Sequence, residues 1–134
     1  MLTEAAFKRI MRAYGNAWEK LDSSALVKIF TRTGTYRVRP FERPYRGHKG
    51  IRRYWDGIVK VKEKNVRFAL GRVFVNDDVG VAEWKARFTR RDNGHPEELR
   101  GIILAKVRNG KIRELWEYWD KKEMGGTQTK EKST

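Results

Sequence analysis

The stretch KIRELWEYWD, residues 111–120, reads as a β-strand that is apolar on both sides. Side chains alternate between the two faces of a strand. By simple alternation Ile112, Trp116 and Tyr118 share one face, while Leu115 and Trp119 share the other with Glu117 between them. A strand in a half-solvated sheet has one apolar and one polar face. Two apolar faces therefore predict cover on both sides of the sheet. A carboxylate set among large hydrophobes predicts a buried polar site, because an unpaired charge is costly away from water.

Asn109-Gly110, just before this strand, is a tight-turn signal. Upstream lie three more strand-like runs, VRFALGRVFV (66–75), VGVAEWKARFTRR (79–91) and ELRGIILAKV (98–107). A turn at 76–78 and the loop DNGHPE (92–97) separate them, which predicts a β-meander. The N-terminal part has a helical period instead. Phe7, Ile10, Met11, Tyr14, Trp18 and Leu21 mark an amphipathic helix over 3–21, with Thr3 placed to cap it. Asp22 or Ser23 caps a shorter helix that buries Leu26, Ile29 and Phe30. GTYRVRPFERPYR (34–46) reads as two short extended pieces, confined by Pro40 and Pro44 to an edge or a bend. Ile51, Tyr54, Trp55, Ile58 and Val59 then predict a third helix over 48–62. Helices first and strands after indicate an α+β fold, with three helices covering one face of a mostly antiparallel sheet.

Composition narrows the function. The 134 residues predict one domain over 1–123, and the apolar-free MGGTQTKEKST predicts a disordered tail at 124–134. With no cysteine there is no disulfide and no thiolate chemistry. Only His48 and His95 could supply imidazole, and no G-x-G-x-x-G or P-loop is present, so neither a metal nor a nucleotide cofactor is expected. His48 reads as a loop or near-cap residue and His95 as an exposed loop residue. No run approaches a membrane span and the N-terminus lacks a signal-peptide pattern, so a cytoplasmic protein is expected. The net charge is +14, from 31 Lys plus Arg against 17 Asp plus Glu. That field favours anionic partners. The basic residues are nevertheless dispersed, as in IRRYW, KVKEK and FTRR, rather than gathered into a nucleic-acid-binding arm.

Four motifs carry a resemblance to a known family. AYGNAWEKLD followed by ALVKIF, the segment GTYRVRPFERPYRG, the segment GHKGIRRYW, and the closing NGKIRELWEYWD are similar to motifs of the NTF2-like superfamily. That superfamily includes ketosteroid isomerases and SnoaL-type polyketide cyclases, and the resemblance covers about residues 3–121. It implies a cone in which a curved sheet and the helices enclose a pocket, with the back of the sheet often forming a homodimer interface. It implies that Leu115, Glu117 and Trp119 face the pocket, and that Trp116 and Tyr118 face the back, toward a partner subunit.

The resemblance specifies fold better than activity. The position of the isomerases' general-base aspartate falls at Val38 or Arg39, and that of their second acid near Ile103, so two of three catalytic groups are missing. Tyr14 falls where their helix tyrosine lies. Glu117 is the pocket acid that remains. Desolvation among Trp84, Leu115 and Trp119 would suit it to acid–base work, and Tyr14 could share a proton or hydrogen bond with it. The alternative is an interior ion pair with Arg39, Arg87 or Arg113. Trp18, Trp55, Trp84 and Trp119, with Val38, Ile103 and Leu115, are expected to line a cavity for a flat or apolar ligand. Two functions stay open: a small-molecule pocket of the isomerase, cyclase or dehydratase kind, and a non-catalytic homodimeric module binding protein or nucleic acid through its basic surface.

Overall fold

The computed structural model describes residues 1–124, so all of the expected tail after Met124 lies outside the described residues. Helix α1 spans Glu4–Glu19, and its first turn is closed by Thr3, whose hydroxyl accepts from the Ala6 N–H at 3.1 Å. It stops short of Leu21, which takes a left-handed φ of 52° and turns the chain. Asp22 caps α2 (Ser23–Val27) by accepting from the Ala25 N–H at 3.1 Å. Phe30, expected on this helix, instead opens strand β1 (Phe30–Arg37).

The remaining strands are β2 (Tyr45–Arg46), β3 (Glu63–Asn76), β4 (Val79–Arg90), β5 (Pro96–Arg108) and β6 (Lys111–Glu123). They form one sheet in the order β2-β1-β6-β5-β4-β3. The expected short hairpin at 34–46 is really a long strand with a two-residue partner, and β1 runs parallel to β6. The start of β1, FTRTG, buries Phe30 and Gly34 but exposes Arg32 between them, and its register with β6 shifts before Thr35. Period-2 alternation is therefore absent where a strand signal was needed.

Bulges curl the sheet. β3 carries extra residues between Lys64 and Arg67 and between Leu70 and Val73. β6 carries one near Arg113, where Lys106 pairs with Glu114 but Val107 pairs with Ile112. A bulge bends a strand and reverses the facing of what lies beyond it. Ile112 is therefore fully buried beside Leu115, and not on the Trp116 side as simple alternation predicts. C-terminal to the bulge the alternation holds: Leu115 and Glu117 are buried, while Tyr118 is 41% exposed.

The third helix begins as α3 (Gly47–Tyr54), passes through a π-helical turn at Trp55–Val59, and ends with one α turn at Lys60–Lys62. The extra residue in the turn shifts the helical phase, which leaves Ile58 39% exposed. Trp55 and Val59 stay buried at either end of the turn. α1 lies along β3 and can approach closely because Gly15 has no Cβ to meet the Phe68 ring. The helices and the inner sheet face form an α+β cone.

Candidate functional site

The narrow end of the cone is solid. Phe7, Met11, Leu26, Phe30, Ile112 and Leu115 are all fully buried there. The wide end is hollow, with a cavity of about 440 Å³. Its walls are Trp18 from α1, Tyr54 and Trp55 from the third helix, Tyr36 from β1, Val38 just beyond β1, and Trp119 from β6. A neighbouring cavity of about 540 Å³ under the Val38–Glu42 segment shares Val38, Glu117 and Trp119. The aromatic walls brace one another: Trp18 meets Trp55 edge-on at 6.1 Å and Trp84 at 5.5 Å, and Tyr45 stacks on Tyr54 at 4.4 Å.

Glu117 lies where the inner face changes from solid to hollow, 5% exposed and lining both cavities. Among the described residues no arginine pairs with it. Arg39 instead stacks over the Trp119 ring at 5.1 Å and pairs with Glu42, and Arg87 pairs with Glu98 at 3.8 Å. The partners of Glu117 are tyrosines. The Tyr14 hydroxyl donates to its Oε2, and the Tyr36 hydroxyl donates to the same oxygen at 2.7 Å. The two hydroxyls lie 3.2 Å apart. Oε1 makes no hydrogen bond of ordinary geometry among the described residues, and the residue borders both cavities.

Desolvation pushes the Glu117 carboxyl above its ordinary value, against the opposing hydrogen bonds from Tyr14 and Tyr36. The Trp119 indole N–H also favours the charge, though it makes no hydrogen bond of ordinary geometry. Burial, reinforced by the Glu117 charge, drives Tyr14 and Tyr36 well above the usual tyrosine range, so both stay protonated donors.

A second acid sits nearby. Glu63, the first residue of β3, accepts from the Trp18 indole N–H at 2.7 Å. Desolvation raises it to about 7, partly offset by that bond and increased by the charges of Glu117 and Glu97. Glu97 is itself 6% exposed, with Arg90 3.6 Å away. Arg39, Glu42, Lys62 and Lys121 form the exposed rim.

Of the residues expected to form the site, Trp18, Val38, Trp55, Glu117 and Trp119 line the cavity. Tyr14 lies one layer deeper and reaches the site through Glu117. Trp84, Ile103 and Leu115 do not line it. Trp84 backs Trp18, Ile103 pairs across from Glu117, and Leu115 belongs to the solid end. His48 ties α3 to β1 through the Phe30 carbonyl at 3.0 Å, and His95 is half-buried in its turn. Among the described residues no cluster of three or more potential metal ligands occurs. No helix among them is long and apolar enough to cross a membrane.

Tyr36, Tyr54 and Glu63 were not expected at the site from sequence, although Tyr54 was read as part of the third helix. Tyr36 sits in the TYR of a segment that reads as irregular. Glu63 sits in KVKEK, which reads as a solvated charge run. The available signal was Val66, the first apolar residue of β3: a left-handed Asn65 at φ 55° lies between it and Glu63 and marks the bulge that redirects the strand.

The SnoaL-like domain family profile matches residues 11–115. Comparison with curated proteins finds no match. Solved structures share the fold. One is a hypothetical protein with a ketosteroid isomerase-like fold from Catenulispora acidiphila, in complex with trimethylamine; it is 19% identical with TM-score 0.74, covering 81% of this chain and 83% of that one. Another is the epoxide hydrolase/cyclase-like enzyme SalBIII of pyran ring formation in salinomycin, 21% identical with TM-score 0.75, covering 90% and 95%. A third is the hexachlorocyclohexane dehydrochlorinase LinA-type3 from Novosphingobium barchaimii, 14% identical with TM-score 0.77, covering 91% and 90%. These likenesses carry the fold alone.

Proposed function

The chain belongs to the SnoaL-like domain family, and within it we propose an acid–base enzyme that binds a small, largely apolar molecule and moves one of its protons. The reaction class is isomerase, cyclase or dehydratase. The observation that carries this reading is the posture of Glu117: Oε2 fixed by two tyrosines, Oε1 without such a partner, on a side chain that lines an aromatic cavity. A desolvated carboxylate is a stronger base than a solvated one, and fixing one oxygen orients the other. In the proposed step Oε1 takes a proton from a carbon next to a carbonyl. The electron pair moves onto the carbonyl oxygen. Tyr54 lines the cavity, and burial raises its hydroxyl far above the usual range, so it remains a donor for that oxyanion. The aromatic walls hold the apolar body and exclude water. The base thus comes from β6 instead of the Val38–Arg39 position that the isomerase pattern uses. The neighbours named as a dehydrochlorinase and an epoxide hydrolase/cyclase-like enzyme support the class, not a substrate.

The test is deuterium uptake by a panel of enolisable ketones in heavy water. Wild type should promote uptake, and Glu117→Gln should lose about a hundredfold or more of the rate. Equal rates for the two proteins, or no uptake with any ketone, would overturn the reading.

We also propose a homodimer through the outer sheet face. Phe74, Val81, Leu104 and Trp116 pair in one row across four strands, and Phe74 is 55% exposed. Tyr118 extends this apolar face on β6. A solution mass of one chain would remove the proposal.

A further inference from the structure

The charges around the cavity are graded. Exposed Arg39, Lys62 and Lys121 stand at the rim, whereas buried Glu117 and half-buried Glu63 stand inside. Among the described residues neither inner carboxylate takes part in an ion pair, while Arg39 and Arg90 are engaged with Glu42, Asp92 and Glu97. Two unpaired carboxylates in one desolvated space repel each other and lack a counter-charge. Trp18, Tyr36, Tyr54 and Trp55 line the same cavity. A ring face attracts a cation, most strongly where water is excluded. The carboxylates and the rings thus call for the same occupant.

We propose that the inner end of this cavity takes a protonated or quaternary ammonium group of a small molecule, with Glu63 as its counter-ion. The inference rests on the cavity being the ligand site proposed above, and it assigns the substrate class. The two acids then divide the work. Glu63, fixed by the Trp18 N–H on Oε1, holds the positive head, and Glu117 is left to move the proton. A neutral apolar ligand would leave Glu63 without a counter-charge. An anionic head would meet both carboxylates.

The test compares choline with dimethylbutanol, its uncharged isostere in which carbon replaces the ammonium nitrogen. Binding to the full chain is followed by calorimetry and by tryptophan fluorescence. Choline should bind at least about tenfold more tightly than the isostere, a difference of about 1.4 kcal/mol. Glu63→Gln should remove most of that preference, and circular dichroism should show the variant folded. Equal or tighter binding of the isostere would overturn the ammonium assignment and leave the acid–base reading standing. A choline preference that survives Glu63→Gln would overturn Glu63 as counter-ion. Binding of neither probe would also overturn the inference, while ketone exchange judges the acid–base reading separately.

Discussion

Leu115 and Glu117 stand two residues apart on the same face of β6, and both are almost completely buried. Leu115 ends a solid cluster of buried, mainly apolar residues. Glu117 begins a hollow region in which each polar group has a purpose or lacks a partner. The same strands and the same α1 build both ends. Burial alone therefore does not separate structure from function in this fold. What separates them is whether the space beside the residue is filled. At the solid end, packing supplies stability. At the hollow end the protein keeps two acids desolvated, at a cost to stability that fits the proposed ligand site.

That contrast can be broken by mutation, and the solid end should show the largest change. Phe7 is fully buried, so Phe7→Ala should cost about 3–5 kcal/mol in chemical denaturation. Deuterium uptake by the protein that remains folded should be unchanged. Glu117→Gln should do the reverse. Its amide oxygen can still accept from Tyr14 and Tyr36, so the denaturation midpoint should move by less than about 1 kcal/mol while uptake drops about a hundredfold. A large stability loss with Glu117→Gln would erase the distinction between the ends.

Glu63 sharpens the comparison through pH. Its carboxyl is raised to about 7 in the folded chain, so the folded state binds the proton more tightly than the unfolded state. The sign follows. The stability associated with this group is intact below the ordinary carboxylate value, falls as pH rises toward 7, and is lost above it. The amount is about 3 kcal/mol. Glu63→Gln should flatten that fall in denaturation curves recorded between pH 4 and pH 8, roughly spanning the two values. An unchanged slope would mean that Glu63 is not desolvated. The smallest effect is expected from Tyr36→Phe. It removes one of two hydrogen bonds to Glu117, costs about 1 kcal/mol, and should move the Glu117 titration further upward.

Much of the fold was legible because its elements carry strong periodicity. α1, the third helix and the four long strands each show several apolar residues at one spacing. The failures share a cause: one extra residue changes the phase. The bulge near Arg113 put Ile112 on the wrong face, the π turn exposed Ile58, and the shifted register of β1 concealed that strand. The same devices shape the site. The bulge near Asn65 separates Glu63 from the regular part of β3, and the π turn sets Trp55 and Val59 around the cavity. Glu117 was legible because a lone acid interrupts an apolar strand. Tyr14 was legible as its partner, but Tyr36 was not, because a tyrosine in an irregular segment gives no hint of what its hydroxyl meets. Of the two expected partners, an arginine and Tyr14, the tyrosine is the one present, and Tyr36 from β1 joins it.

The most direct test of the central claim is a titration of the Glu117 carboxyl carbon by NMR in the free protein, with Glu117→Gln used to assign the signal. A desolvated carboxylate held by two tyrosines and no cation should titrate above the ordinary glutamate value of about 4.3. It should move higher still in Tyr36→Phe. A midpoint at or below the ordinary value would mean that water or an arginine serves Glu117 after all, and the hollow end would then lose its base.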